Sequence, residues 1–388
     1  MQQLFAPCVL GPFALRNPVV SLPFYTAYAD AEGRVTPQLI SHYRRIAASG
    51  VGLVVAEASA VRDPIPSPYT IHAFDKTNLP GLRALAKTIQ SEGATAVLQI
   101  CHTGRYCGTP GGLAPSPVPA FGVPELTPRA MDDADMKRVA AAFAESADIV
   151  RQAGFDGVEL HGGTGYLLAS FTSPRTNLRL DECGGTIENR ARFITRVCRA
   201  VRDKVGDYPV GYRFMAREYI PGGLGLEEGA CLAAIIAREL APAYLSVTAG
   251  SHECFAWLAE QKLKAGEGFM LAEAEAIRKA VPTVPVIAAG LLQSREVCAN
   301  ALATGQTDAI GLGRVLFADF DWLNKTSGKK AGPARACVQC NTCIRQIRAG
   351  RPAFCSRWTK EEKQEYLRDV EPGRVISPPK GDREKAPQ

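Results

Sequence analysis

Four cysteines crowd a short stretch near the end of this 388-residue chain. Cys337, Cys340 and Cys343 are separated from one another by two residues, and Cys355 follows after eleven more. We expect a cytoplasmic protein, in which thiols stay reduced, so a disulfide framework is disfavoured. The other eight cysteines are scattered and are expected to pack as small buried hydrophobic side chains. The four crowded thiols therefore need another explanation.

Composition narrows the classes of protein that need to be considered. The first thirty residues lack the basic start, apolar run and cleavage site of a secretory signal, and no apolar run approaches the roughly 20 residues of a membrane helix. With 46% hydrophobic and 22% charged residues, the chain has the composition of a globular protein. A net charge of +6 is modest, so neither a nucleic acid nor a membrane is expected as a partner.

Eight runs rich in β-branched residues recur along the chain, with helix-length segments between them. The runs are 17–22, 51–57, 95–100, 155–161, 208–214, 243–249, 284–289 and 308–313. Amphipathic segments lie at 36–49, 133–153, 186–205 and 271–281. Repeated alternation of strand and helix predicts an α/β fold, a closed (β/α)8 TIM barrel. A doubly wound open sheet is the alternative.

The same pattern predicts the domain organisation. The barrel is expected to span 1–325, with a Pro- and Gly-rich excursion at about 107–130 that forms a lid over its mouth. A short Cys-rich segment follows at 326–360. The charged tail at 361–388 is expected to be extended or disordered, and it is a candidate contact for a second subunit in a homo-oligomer.

Polar residues are dense at the predicted strand ends, where barrels of this class place their active sites. Three of the five histidines of the chain lie there. The strand-end candidates are Gln99, His102, Arg105, His161, Tyr166, Arg213, Ser251 and His252. Each taken alone could be a hydrogen-bonded scaffold residue, but their coincidence on one rim favours a functional site.

The last two strand ends fit a phosphate. Gly290, Gly311 and Gly313 leave backbone N–H groups free to approach an anion, and Arg314 offers a guanidinium to its oxygens. Many unrelated barrels bind phosphate at this place, so this pattern alone does not identify the ligand.

Three stretches together carry a resemblance to a known family. The segments 98–106 (LQICHTGRY), 153–193 (beginning AGFDGVELHGGTGY) and 308–319 (DAIGLGRVLFAD) closely resemble the Old Yellow Enzyme family of FMN-dependent ene reductases. The resemblance covers roughly residues 5 to 325. It implies a non-covalent FMN at the barrel mouth and hydride transfer to an activated C=C of a small enone or enoyl substrate.

The resemblance also implies a role for individual residues. The flavin and its phosphate would contact Pro23, Phe24, Ala58, Gln99, Arg213, Gly290, Gly313 and Arg314. His161 and Thr164 match the pair that polarises the substrate, although relatives carry Asn or His where this chain has Thr164. Tyr166 matches the proton donor, with His252 beside it, and Tyr25 is a weaker candidate for substrate contact.

The Cys-rich segment is similar to the [4Fe-4S] segment of 2,4-dienoyl-CoA reductase and trimethylamine dehydrogenase. This implies that Cys337, Cys340, Cys343 and Cys355 bind such a cluster. A zinc ion on the same four thiols is the alternative. The chain has no G-x-G-x-x-G motif opening a helix, unlike the FAD- and NAD(P)-binding domains of those relatives. Electrons are therefore expected from an external reductase, ferredoxin or electron-transfer flavoprotein, or from NAD(P)H acting directly.

The leading hypothesis is thus an FMN and [4Fe-4S] ene reductase acting on an α,β-unsaturated carbonyl or thioester. The same site running as a desaturating or amine (N-demethylating) dehydrogenase is the alternative, disfavoured because no aromatic cluster is obvious at the strand ends. A tRNA-modifying FMN barrel protein is a lower alternative, because a helical RNA-binding domain is missing.

Overall fold

The computed structural model describes residues 2–62, 69–108, 110–122, 124–261 and 265–370. The strands in these residues are β1 (Cys8–Leu10), β2 (Phe13–Leu15), β3 (Val19–Ser21), β4 (Leu53–Ala60), β5 (Thr95–Cys101), β6 (Leu113–Ala114), β7 (Arg129–Ala130), β8 (Gly157–Gly162), β9 (Val210–Arg217), β10 (Leu245–Ala249), β11 (Val286–Ala288) and β12 (Ala309–Leu312). The α-helices are α1 (Pro37–Ala48), α2 (Leu79–Ser91), α3 (Asp133–Gln152), α4 (Leu167–Thr172), α5 (Ile187–Arg190), α6 (Arg192–Val205), α7 (Leu226–Leu240), α8 (His252–Glu260), α9 (Leu271–Ala280), α10 (Arg295–Ala303), α11 (Arg314–Ala318), α12 (Trp322–Thr326), α13 (Thr342–Arg348) and α14 (Lys360–Asp369). Within this part of the chain, every helix is too short or too polar to cross a membrane.

Eight parallel strands close into a barrel in the order β3, β4, β5, β8, β9, β10, β11, β12. The ring closes where β12 pairs with β3, with Ile310 opposite Val19. This closure confirms the predicted (β/α)8 barrel and excludes the doubly wound open sheet. Each of the eight predicted strands overlaps one strand of the barrel.

The helices form where the sequence carries apolar stripes and end signals. Thr36 caps α1 by accepting from the Leu39 N–H, with Pro37 in the first helical position. Asp132 and Asp135 form a reciprocal capping box at the start of α3. The predicted helix at 186–205 is present as two helices, α5 and α6, which meet at Ala191.

Two hydrophobic cores hold the barrel. The inner core fills the barrel with side chains such as Val20, Leu53 and Val97, and the outer core packs the opposite strand faces against the helices. Burial on both faces explains why the strands are nearly continuous apolar runs. The hairpin β1–β2 closes the amino-terminal end, where Phe13 packs 6.5 Å from Tyr244, centroid to centroid. The sequence did not predict this hairpin, since its three-residue strands are too short to show a period.

The predicted excursion at about 107–130 lies beside the opposite end of the barrel. Its described residues form the two-stranded sheet β6–β7, and residues 109 and 123 lie outside the described part. Arg105 donates to the Pro119 carbonyl at 2.6 Å, and Arg179 donates to the Met131 carbonyl at 2.6 Å. Both guanidinium groups thus tie the excursion to loops at the barrel mouth.

The Cys-rich segment is docked against the barrel. The Ala353 N–H donates to the Thr26 carbonyl at 2.8 Å, and the Tyr28 hydroxyl donates to the Ala353 carbonyl at 2.6 Å. Trp358 Nε1 donates to the Phe317 carbonyl at 2.7 Å. The beginning of the charged tail forms α14, where the sequence predicted no helix, and 371–388 lie outside the described residues.

Candidate active site

Three of the predicted catalytic side chains meet at the carboxyl end of the barrel. His161 lies in β8, Tyr166 directly precedes α4, and His252 is the first residue of α8, just after β10. The ring centroid of Tyr166 lies 5.1 Å from that of His161 and 5.4 Å from that of His252. The phenol is therefore placed between two imidazoles.

A fourth ring, which the sequence did not single out, completes this group. Tyr106 follows β5, and its ring centroid lies 5.8 Å from Tyr166 and 5.0 Å from His252. The expectation that the strand ends carry no aromatic cluster is therefore wrong. In the sequence, Tyr106 is marked only as the last residue of the motif CHTGRY. Its ring partners Tyr166 and His252 follow other strands, so the sequence alone does not reveal these contacts.

Burial and nearby charge fix the protonation of these groups. Burial raises the pKa of the Tyr166 phenol above its ordinary value. Burial, followed by the charge of Arg213, holds the pKa of His161 well below its usual range. Burial, with the charges of Arg348 and Arg105, lowers the pKa of His252 to about 4. At neutral pH the site thus holds a protonated phenol between two neutral imidazoles.

His161 and Thr164 also come together as predicted from the motif. The Thr164 hydroxyl lies 3.4 Å from His161 Nε2, and within the described residues the buried Nδ1 of His161 has no hydrogen-bond partner. Thr164 has φ of +54°, which is unusual for a β-branched residue. Strained backbone of this kind is concentrated at functional sites.

Two residues predicted to contact a flavin, the buried Gln99 and the half-buried Arg213, are positioned by hydrogen bonds. Gln99 Nε2 donates to Glu159 Oε1 at 2.7 Å, and Arg213 Nη1 donates to the Ser246 hydroxyl at 2.9 Å. Arg213 lies close enough to Glu159 for the two charges to interact, which compensates in part for its burial. The guanidinium is thus held at the strand ends beside His161.

Further predicted contact residues lie in or just after the first two barrel strands. Pro23, Phe24 and Tyr25 come just after β3, and all three are half-buried. The Tyr25 hydroxyl accepts from Thr70 at 3.4 Å. Ala58 is half-buried while its neighbours in β4 are buried, so the strand opens at that position.

Gly290 and Gly313 leave space that a side chain would fill. Gly290 has φ of +112°, and a Cβ atom there would lie 2.9 Å from the Met270 nitrogen. A Cβ on Gly313 would meet only Leu22, at 4.0 Å, so the backbone at the start of α11 faces open space. Arg314 follows directly, and its Nη1 donates to Asn341 Oδ1 at 3.2 Å.

The four clustered thiols share one small cavity, which we call the thiol cavity. Cys337, Cys340, Cys343 and Cys355 line it, together with Arg314 and Phe317 among others. Although partial burial raises it, hydrogen bonds with Ser356 and Thr342 leave the pKa of the Cys340 thiol below its ordinary value. Among the described residues, no group of three or more His, Cys, Asp or Glu side chains is arranged to hold a metal ion.

Comparison with known proteins gives a family match over most of the chain. A family model described as "NADH:flavin oxidoreductase / NADH oxidase family" matches residues 3–331. The chain is 36% identical to an NADH oxidase of Thermoanaerobacter brockii, over 88% of this chain and 53% of that protein. It is 30% identical to a cinnamate reductase of Clostridium sporogenes, over 87% of this chain and 54% of the relative.

Two solved structures share the fold over almost all of the chain. A structure of 2-naphthoyl-CoA reductase with 2-naphthoyl-CoA superposes with a TM-score of 0.86 at 26% identity, covering 92% of this chain and 57% of that one. Histamine dehydrogenase from Rhizobium sp. 4-9 gives a TM-score of 0.79 at 26% identity, covering 92% and 52%. This chain spans little more than half the length of these four proteins. The match over residues 3–331 shows that the chain belongs to the NADH:flavin oxidoreductase / NADH oxidase family, whose members are FMN-dependent oxidoreductases.

Proposed function

We propose that this protein is an ene reductase that uses FMN to reduce the activated C=C of an α,β-unsaturated carbonyl or thioester. The observation that carries the proposal is the half-buried Tyr166 phenol, which contacts the neutral imidazoles of both His161 and His252. Reduction of such a bond needs one protonated acid at the carbon opposite the one that receives hydride. A phenol whose pKa is raised by burial keeps its proton at neutral pH and can deliver it there.

The residues at the strand ends fit a flavin. Gln99 offers an amide at the end of β5, and Arg213 offers a fixed positive charge for the end of the ring system that becomes negative on reduction. Pro23, Phe24 and Ala58 would flank the ring system, and the open backbone at Gly290 and Gly313 with Arg314 would hold the phosphate. When bound, FMN supplies the hydride from its N5 position.

His161 and Thr164 would bind the substrate carbonyl oxygen. A neutral His161 can donate one hydrogen bond, and the Thr164 hydroxyl can donate a second. Stabilising the charge that develops on this oxygen is the larger part of catalysis for such a reaction. Because the Thr164 side chain is short, we expect weaker polarisation than an amide at this position would give.

His252 would position Tyr166 and relay a proton to it. Its imidazole is neutral at neutral pH, so one ring nitrogen carries a proton that can pass to the phenol after each turnover while the other accepts a proton from solvent. Tyr106 packs against the rings of both Tyr166 and His252 and would hold them in place.

The four thiols would bind a [4Fe-4S] cluster, which supplies single-electron transfer when bound. The proposal is supported by the cavity that the four thiols share and by their spacing, with three thiols within seven residues and the fourth after eleven more. Zinc remains the alternative occupant.

An amine dehydrogenase is the second candidate function. The rings of Tyr106, Tyr166, His161 and His252 form an aromatic group, and aromatic faces attract ammonium ions. Similarity to histamine dehydrogenase favours this candidate, whereas similarity to a cinnamate reductase and to 2-naphthoyl-CoA reductase favours C=C reduction. Turnover of cyclohexenone and cinnamoyl-CoA, compared with histamine and dimethylglycine, distinguishes the two.

The proton-donor assignment is tested with Tyr166→Phe. General acid catalysis typically contributes about 10²–10⁴-fold, so kcat for an enone should fall by that factor while hydride transfer from reduced FMN to the enone remains detectable. Tyr106→Phe, which removes a hydroxyl from the same aromatic group, should lose much less. Full enone turnover by Tyr166→Phe would refute the assignment.

A further inference from the structure

The charge of this chain is distributed very unevenly. Between Asn324 and Lys360 there are nine Lys and Arg residues and no Asp or Glu. In the rest of the chain the 39 Asp and Glu outnumber the remaining 36 Lys and Arg. The whole positive excess is therefore carried by the segment that contains the four clustered thiols.

Part of this charge is neutralised where the segment leaves the barrel. Lys325 pairs with Asp319 at 2.7 Å, Lys330 with Asp321 at 2.5 Å, and Arg335 with Glu362 at 2.8 Å. The arginines closer to the thiols differ from these residues in their ion pairing. Arg345, Arg348, Arg351 and Arg357 have no ion pair within the described part of the chain.

Two of these arginines, Arg345 and Arg357, lie beside the thiol cavity, and Arg348 lies next to Arg345 on α13. Arg345 and Arg348 are three residues apart on α13, so they occupy one face of that helix. Arg345 Nη1 donates to the Cys340 carbonyl at 2.7 Å, which places this face next to Cys340. Arg357 lines the cavity itself.

The same region exposes an apolar side chain and a thiol. Val338, between Cys337 and Cys340, is 55% exposed, and Cys340 is exposed as well. An apolar contact surrounded by unpaired charge is typical of small, short-lived interfaces, among which electron-transfer complexes are common. We call Val338, Arg345, Arg348 and Arg357 the arginine face.

We propose that the arginine face docks an acidic single-electron carrier protein and that electrons enter the enzyme there. This rests on the proposed function, since it requires a redox centre on the four thiols. Each encounter passes one electron from the reduced carrier to that centre and leaves the carrier oxidised. Two encounters supply the two electrons of one C=C reduction, and two protons are taken from solvent.

Charge complementarity identifies the partner. Unpaired guanidinium groups around a redox centre attract a carrier with acidic side chains around its own centre, and such attraction raises association rates about 10- to 1,000-fold. Arginines in the last turn also stabilise α13 through its dipole. That local effect accounts for one or two cations, but not for nine without a single acidic residue.

The test is anaerobic stopped-flow reduction of the iron-loaded holoenzyme by a reduced plant-type [2Fe-2S] ferredoxin, which is acidic. The variant is Arg345→Gln with Arg357→Gln, two exposed arginines beside the thiol cavity, and the matched control is Arg83→Gln with Arg192→Gln, two exposed arginines on α2 and α6. Binding of oxidised ferredoxin is measured by calorimetry in parallel, with basic cytochrome c as a control ligand. Dithionite, a small reductant, reports whether the redox centres are present and reducible.

We expect the ferredoxin rate to fall about tenfold between 50 and 500 mM NaCl, and about three- to tenfold in the arginine-face variant at low salt. The control variant and dithionite reduction should remain unchanged, and cytochrome c should not bind. Equal ferredoxin rates and affinities in the two variants would overturn the proposal, as would docking of a further flavin domain at this face. If dithionite bleaches no iron-sulfur absorbance, the proposed function itself fails instead.

Discussion

The ring centroids of Phe24 and Phe317 lie 4.6 Å apart. Phe24 follows β3 at the barrel mouth, among the residues predicted to contact the flavin, and Phe317 lines the thiol cavity. Phe317 also packs against Trp358 of the Cys-rich segment, at 5.0 Å. The candidate flavin site and the thiol cavity are therefore joined by packed side chains.

A buried hydrogen bond from Tyr28 contributes to docking of the Cys-rich segment. Tyr28→Phe leaves the buried Ala353 carbonyl without this donor, which should cost about 1–3 kcal/mol of local stability. Amide hydrogen exchange should therefore speed up around Ala353, and iron content should fall. Tyr208→Phe, which removes a similar bond to the Phe155 carbonyl, serves as the control and should retain iron. Identical exchange in the two variants would contradict this account of docking.

Replacing Thr164 with asparagine should stabilise the protein and improve binding of the substrate. Its φ of +54° is costly for a β-branched residue, whereas Asn adopts this conformation more readily and brings an amide donor. We expect Thr164→Asn to gain about 1 kcal/mol in the free energy of unfolding and to lower KM for an enone. Thr164→Ser keeps a hydroxyl donor and should leave KM near its original value. A less stable Thr164→Asn variant would show that the loop, not the residue, sets this conformation.

Arg348 should control the protonation of His252. Its positive charge, after burial, holds the pKa of His252 at about 4, so Arg348→Gln should raise that pKa toward 6.5. Titration of labelled histidines by NMR measures the shift directly. The acid limb of the kcat/KM profile should move to higher pH in parallel. Arg351→Gln is the control, and a His252 pKa that is the same in both variants would contradict this prediction.

Glu57 should make the protein less stable as the pH rises. It is fully buried, accepts from the Thr26 hydroxyl at 2.6 Å, and burial raises its pKa to about 8. The unfolded carboxyl ionises near 4.5, so between these two values unfolding releases a proton, and raising the pH destabilises the folded state. Glu57→Gln removes this proton release and should gain at least about 1 kcal/mol relative to the original chain between pH 5 and pH 8.

Thermal unfolding across this pH range checks the prediction for Glu57. The exposed Glu227→Gln is its control and should show no pH-dependent difference. A constant difference between the original chain and Glu57→Gln at all pH values would mean that Glu57 does not titrate in this window.

The barrel could be predicted because each of its strands is buried on both faces and each helix carries an apolar stripe. The common location of the strand-end residues could be predicted from the barrel, because its parallel strands all end on one rim. Tyr106 and Arg348 could not be assigned to the site in this way. Each reaches it from a loop or helix beyond a strand, and the position of that loop or helix depends on tertiary packing. The left-handed backbone at Thr164 was equally hidden, because the residue type argues against it.

The most direct test of the account is the visible spectrum and metal content of the protein purified without oxygen. We predict one FMN and four irons per chain, with flavin bands over broad iron-sulfur absorbance that bleaches on reduction. Loss of this absorbance, with flavin retained, is expected on replacing Cys337 and Cys340 with serine. A protein that holds flavin with zinc in place of iron would contradict the electron-relay role of the thiols, and one that holds neither flavin nor iron would contradict the central claim.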